Sequence, residues 1–565
     1  MGHVIVTKPP LGKPASGPPP MTATFQPAST NPDPRTTGQT ALSGAPPRAA
    51  ESRNPATGEL WKQYPTATRA EVLAAVARAR GAQPAWLEQP LASRIRVLRR
   101  FHDCLYRRRN EVADALTREN GKPRAEAMGT EVAIVLDYAR YYADRAPRFL
   151  RAPWRGAGPL ATKRKRIRIL HDPFGVVGII SPWNYPLMLA GGAILPALVT
   201  GNAVLLKPSE FTPTSGALLA ELFREAGVPD DIFTVLQGDG STGGTLCDAP
   251  VDKIFFTGSV ATGRRVAIKC AEKLIPCGLE LGGSDPAIVL ADADLTHAAS
   301  GIAWGRFSNA GQTCVAPKRV FVEAAVHDDF VTALVSAVSA LRVGAGDAPS
   351  TDVGPMIRPD AVTALTAQRD DALAKGATIA AMATNTTDSA HTGNFFAPTV
   401  LTNVRADSRV LTEETFGPLL PVIKVRDADE AIALANATEF GLSASIWSRD
   451  AARAARLAER IEAGTVAIND AIIVGGMADV PHGGIKQSGY GRSHGMAGLE
   501  ECVRTKTIVA DQFASWRQAW WFGYGPAQAE RIDAFVRVAH GPGLGERLSG
   551  MIGVLKLLFA PQRPI

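Results

Sequence analysis

From Phe174 onward the chain repeats one pattern: a short β-rich apolar run, a turn, then a helical stretch. "FGVVGII" runs to Ser181 and "LMLAGGAILPALV" reads as helix; "AVLLK" returns to strand and "SGALLAELFREAG" to helix, with "IFTVL" and "KIFF" following as strands. A second series begins with "PAIVL" at Pro286 and includes "RVFVE", "VIKV" and "TVAIN". Short apolar strands alternating with helices predict doubly wound parallel sheets whose ligands gather at the carboxyl ends of the strands. Two such series predict an α/β fold with two Rossmann-like domains. A chain of 565 residues has room for them, since one core rarely grows that large.

Ahead of this series, Thr68-x-x-Glu71 forms a capping-box pattern before "VLAAVARAR". Ile95, Leu98, Phe101 and Leu105 fall near helical spacing, so two amphipathic helices with basic outer faces are expected. The basic run Lys163 to Arg166 leads into "IRIL", which predicts an exposed edge of an antiparallel hairpin. Residues 1–50 are rich in Pro, Ser, Thr, Ala and Gly and predict a disordered tail.

A formal charge of +7 and a sequence pI near 9.1 are modest at this length, so no nucleic-acid partner is demanded. The six cysteines are scattered without Cys-x-x-Cys or His/Cys ligand spacing, which points to a reducing compartment and no metal. No apolar run reaches the roughly 20 residues that cross a bilayer, and a cytoplasmic protein is expected.

"FSNAGQTCVAP" sets Cys314 among small and polar residues, where a core cysteine would keep aliphatic neighbours. "SPWNYP" holds Asn184 between Pro182 and Pro186 on a rigid turn, and an amide N–H is the donor type an oxyanion hole needs. "LELGG" places Glu280 between leucines and ahead of two glycines, a setting that suits a general base. "LKPSE" ends a strand with Lys207 and Glu210 at one rim, where a carboxylate would accept from ribose hydroxyls and repel a 2′-phosphate, favouring NAD over NADP. Two glycine-rich turns compete for phosphates: Gly238-Asp-Gly240-Ser-Thr-Gly243, and the strand-to-helix turn at Gly258-Ser259.

Taken in order, "SPWNYP", "KPSE", "FTGS", "LELGG", "FSNAGQTC", "EETFGP" and "PHGGIKQSGYGR" resemble the NAD(P)-dependent aldehyde dehydrogenase superfamily over roughly residues 50–510. The resemblance implies that Cys314 is the nucleophile, that the Asn184 side chain and the Cys314 N–H hold the oxyanion, and that Glu280 activates the water that hydrolyses a thioester. It implies a dinucleotide held by Lys207, Ser209 and Glu210 at the adenosine ribose and by Gly258 and Ser259 at the pyrophosphate. Gly240 would lie beside the adenine, with Glu414 and Phe416 at the nicotinamide ribose. The small residues around Cys314 would let substrate and cofactor approach from two sides. By the same resemblance, 51–148 and 171–282 form the NAD-binding domain and 283–494 the catalytic domain. The stretches 149–170 and 495–511 form a small β-hairpin bridging element of a homodimer or homotetramer. Rival readings are a CoA-acylating dehydrogenase and a non-catalytic binding protein on the same fold.

His482 stands where relatives often carry Phe, so it is a candidate for the tunnel mouth or for a hydrogen-bonded wall. Tyr185, Leu187, Met188, Trp304, Thr313 and Val315 are candidates for an apolar tunnel lining that suits a hydrophobic aldehyde. Residues 512–565 mix Trp516, Trp520, Trp521, Phe522 and Tyr524 with cations and end in a short apolar helix. That segment suits peripheral contact with a membrane, or packing on its own subunit or across an oligomer.

Overall fold

The computed structural model describes residues 49–158, 162–385, 393–512, 521–522 and 524–558. The expected disordered tail therefore lies almost wholly outside the described residues, as do Trp516 and Trp520. These described residues belong to one compact unit.

The helices expected near the start are present. Thr68 caps Arg69–Glu88 through a reciprocal capping box with Glu71. Leu91–Arg107 buries Ile95, Leu98, Phe101 and Leu105, the stripe that the spacing picks out.

The first α/β series forms a six-stranded sheet. Its order is Gly489–Tyr490, Cys277–Glu280, Lys253–Thr257, Val176–Ile180, Ala203–Lys207 and Phe233–Val235, parallel except for the first pair. Sequence order runs outward from Val176–Ile180 in one direction and reverses at Lys253–Thr257. That reversal opens a crevice at the carboxyl ends, where the runs after Ile180, Lys207, Val235, Thr257 and Glu280 emerge. The second series forms a seven-stranded sheet ordered Thr378–Met382, Thr399–Thr402, Leu419–Val425, Pro317–Glu323, Asp285–Val289, Ser443–Trp447 and Thr465–Ile468, parallel except at Thr378–Met382. The architecture is α/β with two Rossmann-like parallel sheets.

The basic run departs from expectation. Lys165–Pro173 is the middle strand of a three-stranded antiparallel sheet, flanked by Arg155–Gly156 and Val503–Asp511. Its main partner returns from the far end of the chain, and local alternation carries no trace of so distant a pairing. The run's charge is met within that pairing, because Lys165 faces Asp511 and donates to it at 2.6 Å. Among the described residues no helix is long and apolar enough to cross a membrane.

Candidate functional site

Lys207, Gly240, Gly258 and Ser259 sit at the carboxyl edge of the first sheet or at the helix starts that follow it. The buried Lys207 ends its strand and donates from Nζ to Glu210 at 3.0 Å, while its carbonyl accepts from the Ser181 N–H. Gly240 opens the helix Gly240–Asp248, whose Asp239 cap accepts from the Ser241 N–H. A Cβ at Gly243 would stand 3.9 Å from the Lys207 side chain, so that helix passes beside the lysine. Ser209 serves its own turn: its hydroxyl accepts from the Phe211 N–H and its carbonyl from the Thr212 N–H. Ser259 caps Val260–Glu272, and the Gly258 N–H donates to the Glu280 carbonyl at 3.0 Å. Two helix starts on one strand edge, with a buried cation between glycines, fit the phosphates and ribose of a dinucleotide.

The second sheet meets this edge differently from the expected rule. Cys314 lies just before Pro317–Glu323, Glu414 before Leu419–Val425 and Gly283 before Asp285–Val289, so these residues collect at the amino ends of their strands. One sheet therefore contributes its carboxyl edge and the other its amino edge.

The small residues ahead of Cys314 answer to backbone geometry. Asn309, Ala310 and Gly311 follow the helix Leu295–Phe307 with consecutive φ values of 51°, 52° and 70°, a left-handed run that disfavours bulky side chains. A Cβ at Gly311 would come within 2.5 Å of the Gly417 backbone, so that glycine is required by close packing against the turn after Phe416. Buried Arg306 donates to the Thr415 and Gly417 carbonyls and fastens the same contact. Such strain persists only where the surroundings over-determine it, and it is common at working sites. Gln312 completes the brace: its amide donates to the Asn309 carbonyl and accepts from the Ile357 N–H.

Asn184 and the cysteine loop are directly joined, for Asn184 Nδ2 donates to the Gln312 carbonyl at 3.0 Å. Behind it lies a buried network that sequence reading missed. Lys122 Nζ donates to the Asn184 backbone carbonyl at 2.8 Å and to Glu131 at 2.6 Å, both members of the ion pair being fully buried. Glu131 also accepts from the Leu187 and Met188 N–H groups at the start of Pro186–Val199. Asn120 Nδ2 donates to the Trp183 carbonyl, and Glu119 accepts from Thr214 and Ser215 at the start of Pro213–Glu225. The stretch Glu119-Asn120-Gly121-Lys122 thus anchors both the Asn184 turn and the helix after Glu210. Its one signal in the sequence is a charged and amide-bearing cluster at a glycine that ends a helix.

Cys314 is only partly exposed, and burial pushes its thiol up to about 12; Lys318 pulls it down while Glu280, Asp285 and Glu414 push it further up. Lys318 is buried and donates to the Cys314 carbonyl at 2.5 Å. Burial raises the Asp285 carboxyl to about 7, with Lys318 opposing that shift. Glu414 accepts from the Gly283 N–H at 3.1 Å, and Phe416 meets Trp183 edge-on at 5.6 Å between centroids. Glu280 ends its strand and takes a short hydrogen bond from the Ser493 hydroxyl.

Of the tunnel candidates, Leu187 is fully buried in the core and Tyr185 bonds Thr313 at 2.9 Å. His482 is buried, bridges Ser493 through its backbone and stacks on His494. The chain beside the residue after Cys314 is apolar: Gly475 faces Val315, Gly476 faces Ile134, and Ile473 and Met477 are exposed.

A glycine-rich strand edge, a thiol and an amide directed at the thiol's loop now stand together. The aldehyde dehydrogenase family model matches residues 43–508. The chain belongs to the aldehyde dehydrogenase family. A 4,4′-diapolycopene aldehyde oxidase from Methylomonas is 38% identical over 488 residues, covering 86% of this chain and 91% of that protein. An NADP-linked succinate-semialdehyde dehydrogenase from Deinococcus radiodurans is 40% identical over 469 residues, covering 83% and 96%. A Bacillus cereus aldehyde dehydrogenase solved as its NAD complex superposes with a TM-score of 0.78 at 33% identity, covering 82% of this chain and 93% of that one. This aldehyde dehydrogenase shares the family's general activity, oxidation of an aldehyde with a nicotinamide dinucleotide.

Proposed function

We propose that this aldehyde dehydrogenase oxidises a hydrophobic aldehyde to its carboxylic acid with NAD, through a thioester on Cys314. The observation that carries this reading is the Asn184 amide bonded to the Gln312 carbonyl, two residues before the sulfur. Cys314 Sγ bonds the carbonyl carbon, and the oxygen takes up the negative charge beside Asn184 Nδ2 and the Cys314 N–H. The sulfur's proton leaves to solvent before attack, and Glu280, whose charge reaches the thiol, accepts the proton of the water that later splits the thioester and frees the sulfur. A bound nicotinamide ring supplies the hydride acceptor. Lys207, Ser209, Glu210, Gly240, Gly258 and Ser259 would hold the adenosine and pyrophosphate portions, with Glu414 and Phe416 orienting the nicotinamide ribose.

NAD is favoured because Glu210 already engages Lys207, and a 2′-phosphate would have to compete with that carboxylate. A hydrophobic substrate is favoured because the stretch Ala471 to Met477 beside Val315 carries no cation to meet a second carboxylate. We assign 51–148 and 171–282 to dinucleotide binding and 283–494 to catalysis, with 149–170 and 495–511 bridging subunits of a homodimer or homotetramer in the cytoplasm. A panel of aliphatic, aromatic and acidic aldehydes with NAD or NADP tests the reading. Highest kcat/KM for apolar aldehydes with NAD supports it; preference for acidic semialdehydes with NADP overturns the substrate and cofactor assignments. Acceleration by added CoA with acyl-CoA as product would overturn hydrolysis.

A further inference from the structure

Beyond the span of the family model, Pro526–His540 and Leu544–Leu558 form an antiparallel helical hairpin. Among the described elements, each of these helices packs extensively only on the other. Their contact is made by small residues. A Cβ at Gly550 would stand 2.7 Å from the Ala534 carbonyl oxygen, and one at Gly553 would stand 2.9 Å from the Ala534 Cβ. The large apolar residues face outward instead. Leu544, Leu548, Met551, Ile552 and Leu555 recur at helical spacing and are each at least 49% exposed, on the side of the second helix turned away from its glycine contact. Water-soluble hairpins bury such a stripe and expose the small face; glycine-mediated helix contact with aliphatic residues outside suits an apolar surrounding.

We propose that this hairpin lies on an anionic lipid surface and inserts its outer aliphatic stripe among the acyl chains. Among the described residues no helix is long and apolar enough to cross a bilayer, which takes roughly 20 residues; the second helix covers Leu544–Leu558. Charge selects lipid over a second copy of this segment. Residues 512–565 carry six Lys and Arg against three Asp and Glu, so two copies repel while an anionic headgroup layer attracts. Exposed Trp521, Phe522 and Tyr524 precede the hairpin, residue types that settle at headgroup depth.

The test is vesicle flotation of the full chain with neutral phosphatidylcholine or with phosphatidylcholine containing phosphatidylglycerol. The unaltered protein should float with the anionic vesicles and be released by salt. The double variant Leu548→Ser/Leu555→Ser should lose about tenfold in partitioning per leucine removed and keep its turnover of a short, water-soluble aldehyde. Absence of flotation, or equal flotation of the variant, overturns the proposal. So does a fall in oligomeric state of the variant by light scattering, which would make the stripe a contact between copies. Vesicle binding reads this surface without turnover, so its failure leaves the catalytic reading untouched.

Discussion

Lys318 grips the carbonyl of Cys314: Nζ lies 2.5 Å from that oxygen and 3.2 Å from the carbonyl of Thr313. The lysine is buried, and its charge is the one that holds the Cys314 thiol down against burial and three carboxylates. A thiol raised to about 12 ionises progressively as pH rises, so kcat/KM should climb from pH 7 to 9 without a plateau. Lys318→Met removes the lowering charge, moves the thiol further up and should shift that climb to higher pH. An unshifted profile by NADH formation would show that Lys318 is only a structural brace.

Asn184→Ala removes the amide that bonds the cysteine loop. Loss of one oxyanion donor should lower kcat by about 10²-fold or more. Global stability should fall by only about 1 kcal/mol, measured in urea, because one hydrogen bond is lost. An unchanged kcat would remove Asn184 from the reaction.

The buried pair Lys122 and Glu131 holds the Asn184 turn from behind. Lys122→Met leaves a carboxylate buried without its partner and should cost about 3–5 kcal/mol. Denaturant midpoints check the stability loss. A double variant that replaces both charges with apolar residues should recover part of it, separating the unpaired charge from simple mispacking.

Glu210 pairs with Lys207 at the adenosine rim. Glu210→Ala should raise kcat/KM for NADP relative to NAD by about tenfold, the weight of roughly one removed ionic repulsion. Steady-state kinetics with both dinucleotides decide it, and no change in the ratio would place the ribose elsewhere.

Much of this site was legible because its residues lie on turns set by composition. Proline on both sides of Asn184 marks a turn, the paired glycines after Glu280 mark the end of a strand, and the strand ends at Lys207 and Thr257 follow from apolar runs. Lys122, Glu131 and Lys318 were not legible. Each is a charged residue whose sequence neighbours give no sign of its partner, and only tertiary folding buries it against the Asn184 turn or the cysteine loop. The same limit applies to Lys165–Pro173, whose central position depends on a strand that arrives from Val503–Asp511. The glycine and alanine before Cys314 were visible, but their reason, a left-handed run packed on the Gly417 backbone, is a property of two loops meeting.

The most direct test is the mass of the protein after mixing Glu280→Gln with NAD and an apolar aldehyde. One NADH per subunit should form in a rapid burst, with an added acyl mass on the peptide bearing Cys314 and turnover slowed by about 10²-fold thereafter. NADH formation by Cys314→Ala, or a burst with no acyl group on that peptide, would contradict a thioester on Cys314.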